Sequence, residues 1–107
     1  MKPVPGDNPD KAVLGMLERF DKHLEDPRRV DFYLYFPSRR KAEYAVQELF
    51  CLGLTAEMIA GERKWLCLAS KKITPNLNAL AGLRRALEDI AFRCGGRYDG
   101  WETMILE

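Results

Sequence analysis

"RVDFYLYFP", residues 29–37, alternates two kinds of side chain with a period of two. Val30, Phe32, Leu34 and Phe36 point one way; Asp31, Tyr33 and Tyr35 point the other. That alternation, rich in aromatics, is a strand with one buried face. Pro37 closes it, because proline has no amide to give to a sheet.

Upstream, Asn8 followed by Pro9 reads as an N-cap with proline at the first helical position. Val13, Met16, Leu17, Phe20 and Leu24 recur at helical spacing and predict an amphipathic helix over 9–25. Gly15 weakens it, and Asp26-Pro27 ends it. Residues 1–8 are rich in proline and glycine and are expected to fray. Downstream, Ser38 caps a second helix whose expected buried stripe is Ala42, Ala45, Val46, Leu49 and Phe50, with Gly53 as its stop. "LTAEMIA", 54–60, is a strand with Leu54, Ala56 and Met58 on one face, and "GER" turns the chain. "KWLCLAS", 64–70, is nearly continuous in apolar character. It predicts a central strand buried on both faces, or one whose outer face is covered. Thr74-Pro75 repeats the cap-plus-proline device. Leu80, Leu83, Leu87, Ile90, Ala91 and Cys94 then predict a helix over 75–94, ended by Gly95-Gly96. "WETMIL", 101–106, alternates again as a fourth strand.

The order is one helix and then β-α-β-β-α-β. It predicts an α+β fold, the ferredoxin-like plait, over residues 28–106 of a single domain spanning 1–107. Two crossover helices cover one face of a four-stranded antiparallel sheet with strand order 4-1-3-2. The N-terminal helix is expected to cover part of the open face or to pack on an edge.

The chain carries 17 basic and 16 acidic residues, a formal charge of +1, so no polyanionic partner is demanded by composition. Cys51, Cys67 and Cys94 form no C-x-x-C pair and sit among apolar neighbours; they read as reduced core fillers of a cytoplasmic protein. No signal-peptide core or membrane-spanning apolar run is expected. Catalysis finds no support. His23 is the only histidine, Ser38 is a cap, Ser70 is a strand end, and the cysteines are scattered, so no catalytic, metal or cofactor site is expected.

"GGRYDGWETMI", residues 95–105, holds the second informative step. Asp-Gly between strands signals a hairpin, yet only Arg97 and Tyr98 precede it after the helix stop, too few for a strand. The local reading is a bend or bulge that leads into the last strand, with Gly100 in a backbone geometry other residues resist. The segment then aims Tyr98 and Trp101.

This run resembles the C-terminal signature of the regulator of ribonuclease activity B family, also called ribonuclease E inhibitor B-like. "DFYLYFPSRRKAEYAVQELFCLGL" is similar to that family's first strand and helix. "KWLCLASKKITPNLNAL" is similar to its central strand and the start of its long helix. The resemblance covers about residues 28–106 and implies a variant ferredoxin-like fold and a non-enzymatic, protein-binding role. The founding members bind the endoribonuclease that organises the bacterial RNA-decay assembly and lower its activity. They are strongly acidic with an acidic tail, whereas this chain is balanced in charge and is read as lacking one. The expected protein-binding residues are Tyr98, Asp99, Gly100, Trp101 and Glu102. The oligomeric state stays open.

A second reading makes the plait an RNA-binding module. It would use the outward Tyr33 and Tyr35 with Arg39, Arg40, Lys71 and Lys72. Both basic clusters follow strand ends, one after the first strand and one after the third. They are expected to form one patch at one end of the sheet. "ERKWLCLAS" lacks the aromatic signature of RNA-recognition modules.

Overall fold

The computed structural model describes residues 9–20 and 25–104. Residues 1–8, His23, Leu24, Ile105 and Leu106, and the side chains of Val13 and Phe20, lie outside the described residues. The elements in chain order are α1 (Pro9–Phe20), β1 (Arg28–Phe36), α2 (Arg39–Cys51), β2 (Thr55–Ala60), β3 (Trp65–Ile73), α3 (Leu77–Arg93) and β4 (Arg97–Thr103). They form a mixed arrangement of three helices and one open, four-stranded antiparallel sheet. Its strand order is β2-β3-β1-β4, which is the expected 4-1-3-2 read from the other edge.

β1 is the organising strand. Val30, Phe32, Leu34 and Phe36 are all buried and join one cluster with Ala42, Ala45 and Leu49 of α2 and Leu80, Leu87, Ile90 and Ala91 of α3. Both crossover helices therefore cover the same face. Burying the valine, leucine, isoleucine and phenylalanine side chains of this cluster contributes about 1.5–3 kcal/mol each, an upper bound because a compact unfolded chain already buries part of them. α1 packs against α3 and adds Leu14 and Leu17 to that cluster. It joins the helical side, while Tyr33, Tyr35, Leu66 and Leu68 on the opposite sheet face keep partial exposure.

Both helix ends follow from glycine. After α2 the amides of Gly53 and Leu54 bond back to the carbonyls of Phe50 and Leu49. After α3 those of Gly95 and Gly96 bond back to Phe92 and Ala91. Each is a Schellman motif. Gly53 and Gly95 hold the positive φ of these caps, whereas Gly96 is glycine for want of space, since a Cβ there would overlap the Phe36 ring and the Tyr35 carbonyl.

Several expectations need correction. Glu25, expected as the last residue of the first helix, lies in a turn. β3 runs on to Ile73, and the α3 N-cap is Asn76, whose side chain accepts from the Ala79 amide, not Thr74. The sheet pairing of Arg28 with Ile73 extends the strand past the point where its apolar run stops. Phe50 is 54% exposed, because it falls off the Ala42-Ala45-Leu49 stripe. Cys51 is exposed for the same reason, so only Cys67 is a full core filler; Cys94 is half-buried, and all three thiols are free. β3 buries Cys67 and Ala69 on its helical face, while on the open face Leu66 and Leu68 stay half-buried and Ser70 is buried against Asp31.

Candidate functional site

β4 begins at Arg97, earlier than expected. Phe32 stands opposite Trp101 and Leu34 opposite Tyr98, so two steps on β1 span three on β4. The extra residue is a β-bulge at Asp99-Gly100, and Gly100 has φ 107, in the left-handed region that favours glycine. The physical consequence is specific. Residues three apart in a regular strand face opposite sides. The bulge resets the alternation, so Tyr98 and Trp101 both face the helical layer. Trp101 is only 7% exposed and belongs to the core, and Tyr98 packs against it. The Asp-Gly step is what allows two large aromatics to anchor one edge strand.

What β4 leaves outside is different. Asp99 and Glu102 are exposed. Glu102 accepts a 2.7 Å hydrogen bond from the Tyr33 hydroxyl across the β1–β4 seam. That bond and partial burial push the phenol up to about 12, since ionising it would set a phenolate against a carboxylate. Beside it, Asp31 accepts from the Ser70 hydroxyl and from Arg29 Nε, each at 2.8 Å. The Thr103 hydroxyl donates to the Arg29 carbonyl at 2.8 Å. The open face at this end is thus a closed polar lattice.

The proposed RNA-contact residues separate. Tyr33 and Tyr35 share the open face. Arg39 and Arg40 sit in the first turn of α2, near the β1–β3 end where Phe36 pairs with Trp65. Lys71 and Lys72 pair with Val30 and Arg29 at the other end of the same ladder. The single basic patch expected from sequence does not exist, because the neighbouring antiparallel strands β1 and β3 put their C-terminal ends at opposite ends of the sheet. Lys71 also turns to the helical side, donating to the Leu52 carbonyl at 3.3 Å.

Another group gathers in its place. Arg97 stands opposite Tyr35, Lys64 Nζ lies 4.1 Å from the Tyr35 ring centroid, and Arg39 lies 5.9 Å from the Trp65 ring centroid. A shallow depression of about 480 Å³ opens beside them, lined by Tyr35, Ile59, Leu66 and the Gly61–Lys64 turn. Sequence reading missed this group, since Arg63, Lys64 and Arg97 come from loops and strand ends far apart in the chain. The one signal was Tyr35 itself, an outward aromatic on a central strand. No group of three or more metal-ligating side chains occurs among the described residues. None of the described helices is long and apolar enough to cross a membrane.

The chain matches the family described as Regulator of ribonuclease activity B over residues 7–103. That span takes in every element from α1 to the bulged last strand. No curated protein and no solved structure matches in the other two comparisons. With nearly its whole length covered, the chain belongs to the regulator of ribonuclease activity B family.

Proposed function

We propose that this protein is a single-domain, non-enzymatic regulator that docks on a ribonuclease, of the ribonuclease E type, and lowers its activity. The observation that carries the reading is the family match over residues 7–103. The geometry supports it. The strand order and the two crossover helices on one face fit a ferredoxin-like plait, and β4 is an edge strand. The bulge fixes its outline, and Asp99, Gly100 and Glu102 offer themselves to a partner. Tyr98 and Trp101 act from beneath: they hold the edge in place and do not serve as anchors that leave the core. The working compartment is the cytoplasm, and no cofactor takes part.

The RNA reading is the weaker one. Tyr33 is tied to Glu102, and Asp31, Glu57 and Glu102 share the open face, where they would repel phosphates. The split of the basic clusters removes the continuous track that a strand of RNA would follow.

Hydrogen exchange tests the docking reading. Adding a full-length ribonuclease E-type endoribonuclease should slow exchange of the amides in Arg97–Glu102. Capture of the enzyme with no protection in β4 would move the interface elsewhere. No capture at all would end the reading.

A further inference from the structure

We infer that the end of the open face formed by Tyr35, Ile59 and Leu66 is a docking groove for an acidic peptide segment carrying an aliphatic anchor. The inference deepens the docking reading and takes from it only that the occupant is a protein. Three observations meet at this place.

The first is shape. The floor of the depression is aliphatic and aromatic, and Ile59 on the adjoining edge strand is 44% exposed. The register aligns Arg97, Tyr35, Leu66 and Ile59 in one row across β4, β1, β3 and β2. Opposite residues in antiparallel strands share a face, so this row forms a continuous strip of open surface. A volume of about 480 Å³ accommodates one or two branched side chains in a site of ordinary pocket size.

The second is charge. Arg63 and Lys64 wall the depression and Arg97 stands at its far end. Several arginines elsewhere are spent on carboxylates: Arg29 on Asp31, Arg39 on Glu43, Arg84 on Glu88, Arg93 on Glu48 and Asp89. Among the described residues, Arg63, Lys64 and Arg97 have no carboxylate within ion-pair distance. Glu62 is the one acid in the lining; Glu57 lies one row away, opposite Leu68. Three cations around an apolar floor complement a ligand with carboxylates on either side of an aliphatic residue.

The third is what the floor lacks. Single-stranded RNA needs exposed ring faces for its bases. Here one face of the Tyr35 ring is capped by Lys64, and the rest of the floor is Leu66 and Ile59, which offer no π-surface. A second copy of the chain is disfavoured as well, since a two-fold contact would set Arg63, Lys64 and Arg97 against their own kind.

The test uses a fluorescent peptide of about a dozen residues, rich in Asp and Glu with two central leucines. It is titrated into the full chain at about 50 mM salt and again at about 200 mM. The same peptide with its leucines changed to serine and an oligouridylate of equal length are run in parallel. Saturable binding is expected for the leucine peptide. It should weaken about tenfold with the Arg63→Glu, Lys64→Glu double variant, and severalfold with Ile59→Ser, with higher salt and with the serine peptide. No saturable binding at low salt, equal binding of the serine peptide, or tighter binding of the oligouridylate would each overturn the inference. Both variants are at exposed positions, and an unchanged circular-dichroism melt confirms that they fold. Capture of the endoribonuclease is measured separately. If capture fails while the peptide binds, the docking reading on the ribonuclease falls and the groove stands. If capture succeeds while the peptide does not bind, the groove falls alone.

Discussion

The Tyr33 hydroxyl donates to the Glu102 carboxylate at 2.7 Å, across the seam between the organising strand and the edge strand. The bond lies directly beside the bulge, where two steps of β1 are matched by three of β4. It fixes the register at the point where pairing is interrupted.

Tyr33→Phe should therefore lower stability by about 1 kcal/mol or less, since the pair faces solvent. The pH dependence has a definite direction. The phenol is raised above its ordinary value of 10.0, up to about 12. In the unfolded chain it ionises first, so its contribution is fully present below pH 10 and is lost as pH rises through about 12. The phenolate absorbance lost on Tyr33→Phe should be the part that titrates late in the folded protein. If that part titrates near 10 while the fold persists, the bond is not formed in solution.

Two glycine substitutions should have opposite signs. Gly100 sits at φ 107, so Gly100→Ala forces a side chain into strained backbone and should destabilise by about 1–3 kcal/mol. Gly82 lies exposed within α3, and a Cβ there meets nothing within 4 Å. Gly82→Ala should stabilise by about 1 kcal/mol, because alanine is the better helix former. Urea midpoints at unchanged m-value read both effects.

Much of this was legible in the residues. The period of two in β1 fixed its buried face, and the stripe Leu80, Leu87, Ile90, Ala91 fixed that of α3. The strand order followed from connection rules. The bulge was readable too, since Asp-Gly without a preceding strand of useful length leaves few alternatives. What was illegible depended on register. Nothing local says that Tyr98 and Trp101 point to the same side, because that requires counting residues against β1. The same limit hid the Arg97-Tyr35-Leu66-Ile59 row and produced the false union of Arg39 and Arg40 with Lys71 and Lys72. Phe50 and Cys51 are exposed despite their apolar type, because residue type alone does not set burial and large apolar side chains often stand on protein surfaces.

The thiols should separate by access. Cys51 is exposed, Cys94 is half-buried and Cys67 is fully buried. Burial pushes the Cys67 thiol up to about 11 and raises that of Cys94 as well. A thiol reagent at neutral pH should label Cys51 readily, Cys94 slowly, and Cys67 only on unfolding. Labelling of all three at one rate would contradict the packing of β3 against α2.

Trp101→Ala should act through the core. With the side chain 7% exposed, its truncation should destabilise by about 3–5 kcal/mol. Partner capture should fall only as far as the folded fraction falls. A variant that keeps its melting temperature yet loses capture would make Trp101 a contact residue after all.

The most direct measurement is the cleavage rate of a short single-stranded RNA by a full-length ribonuclease E-type endoribonuclease, with increasing amounts of this protein. A saturable fall in rate, together with no retention of the RNA by the protein alone, is the expected result. An unchanged rate, or a fall that tracks sequestration of the RNA, would contradict regulation by docking on the enzyme.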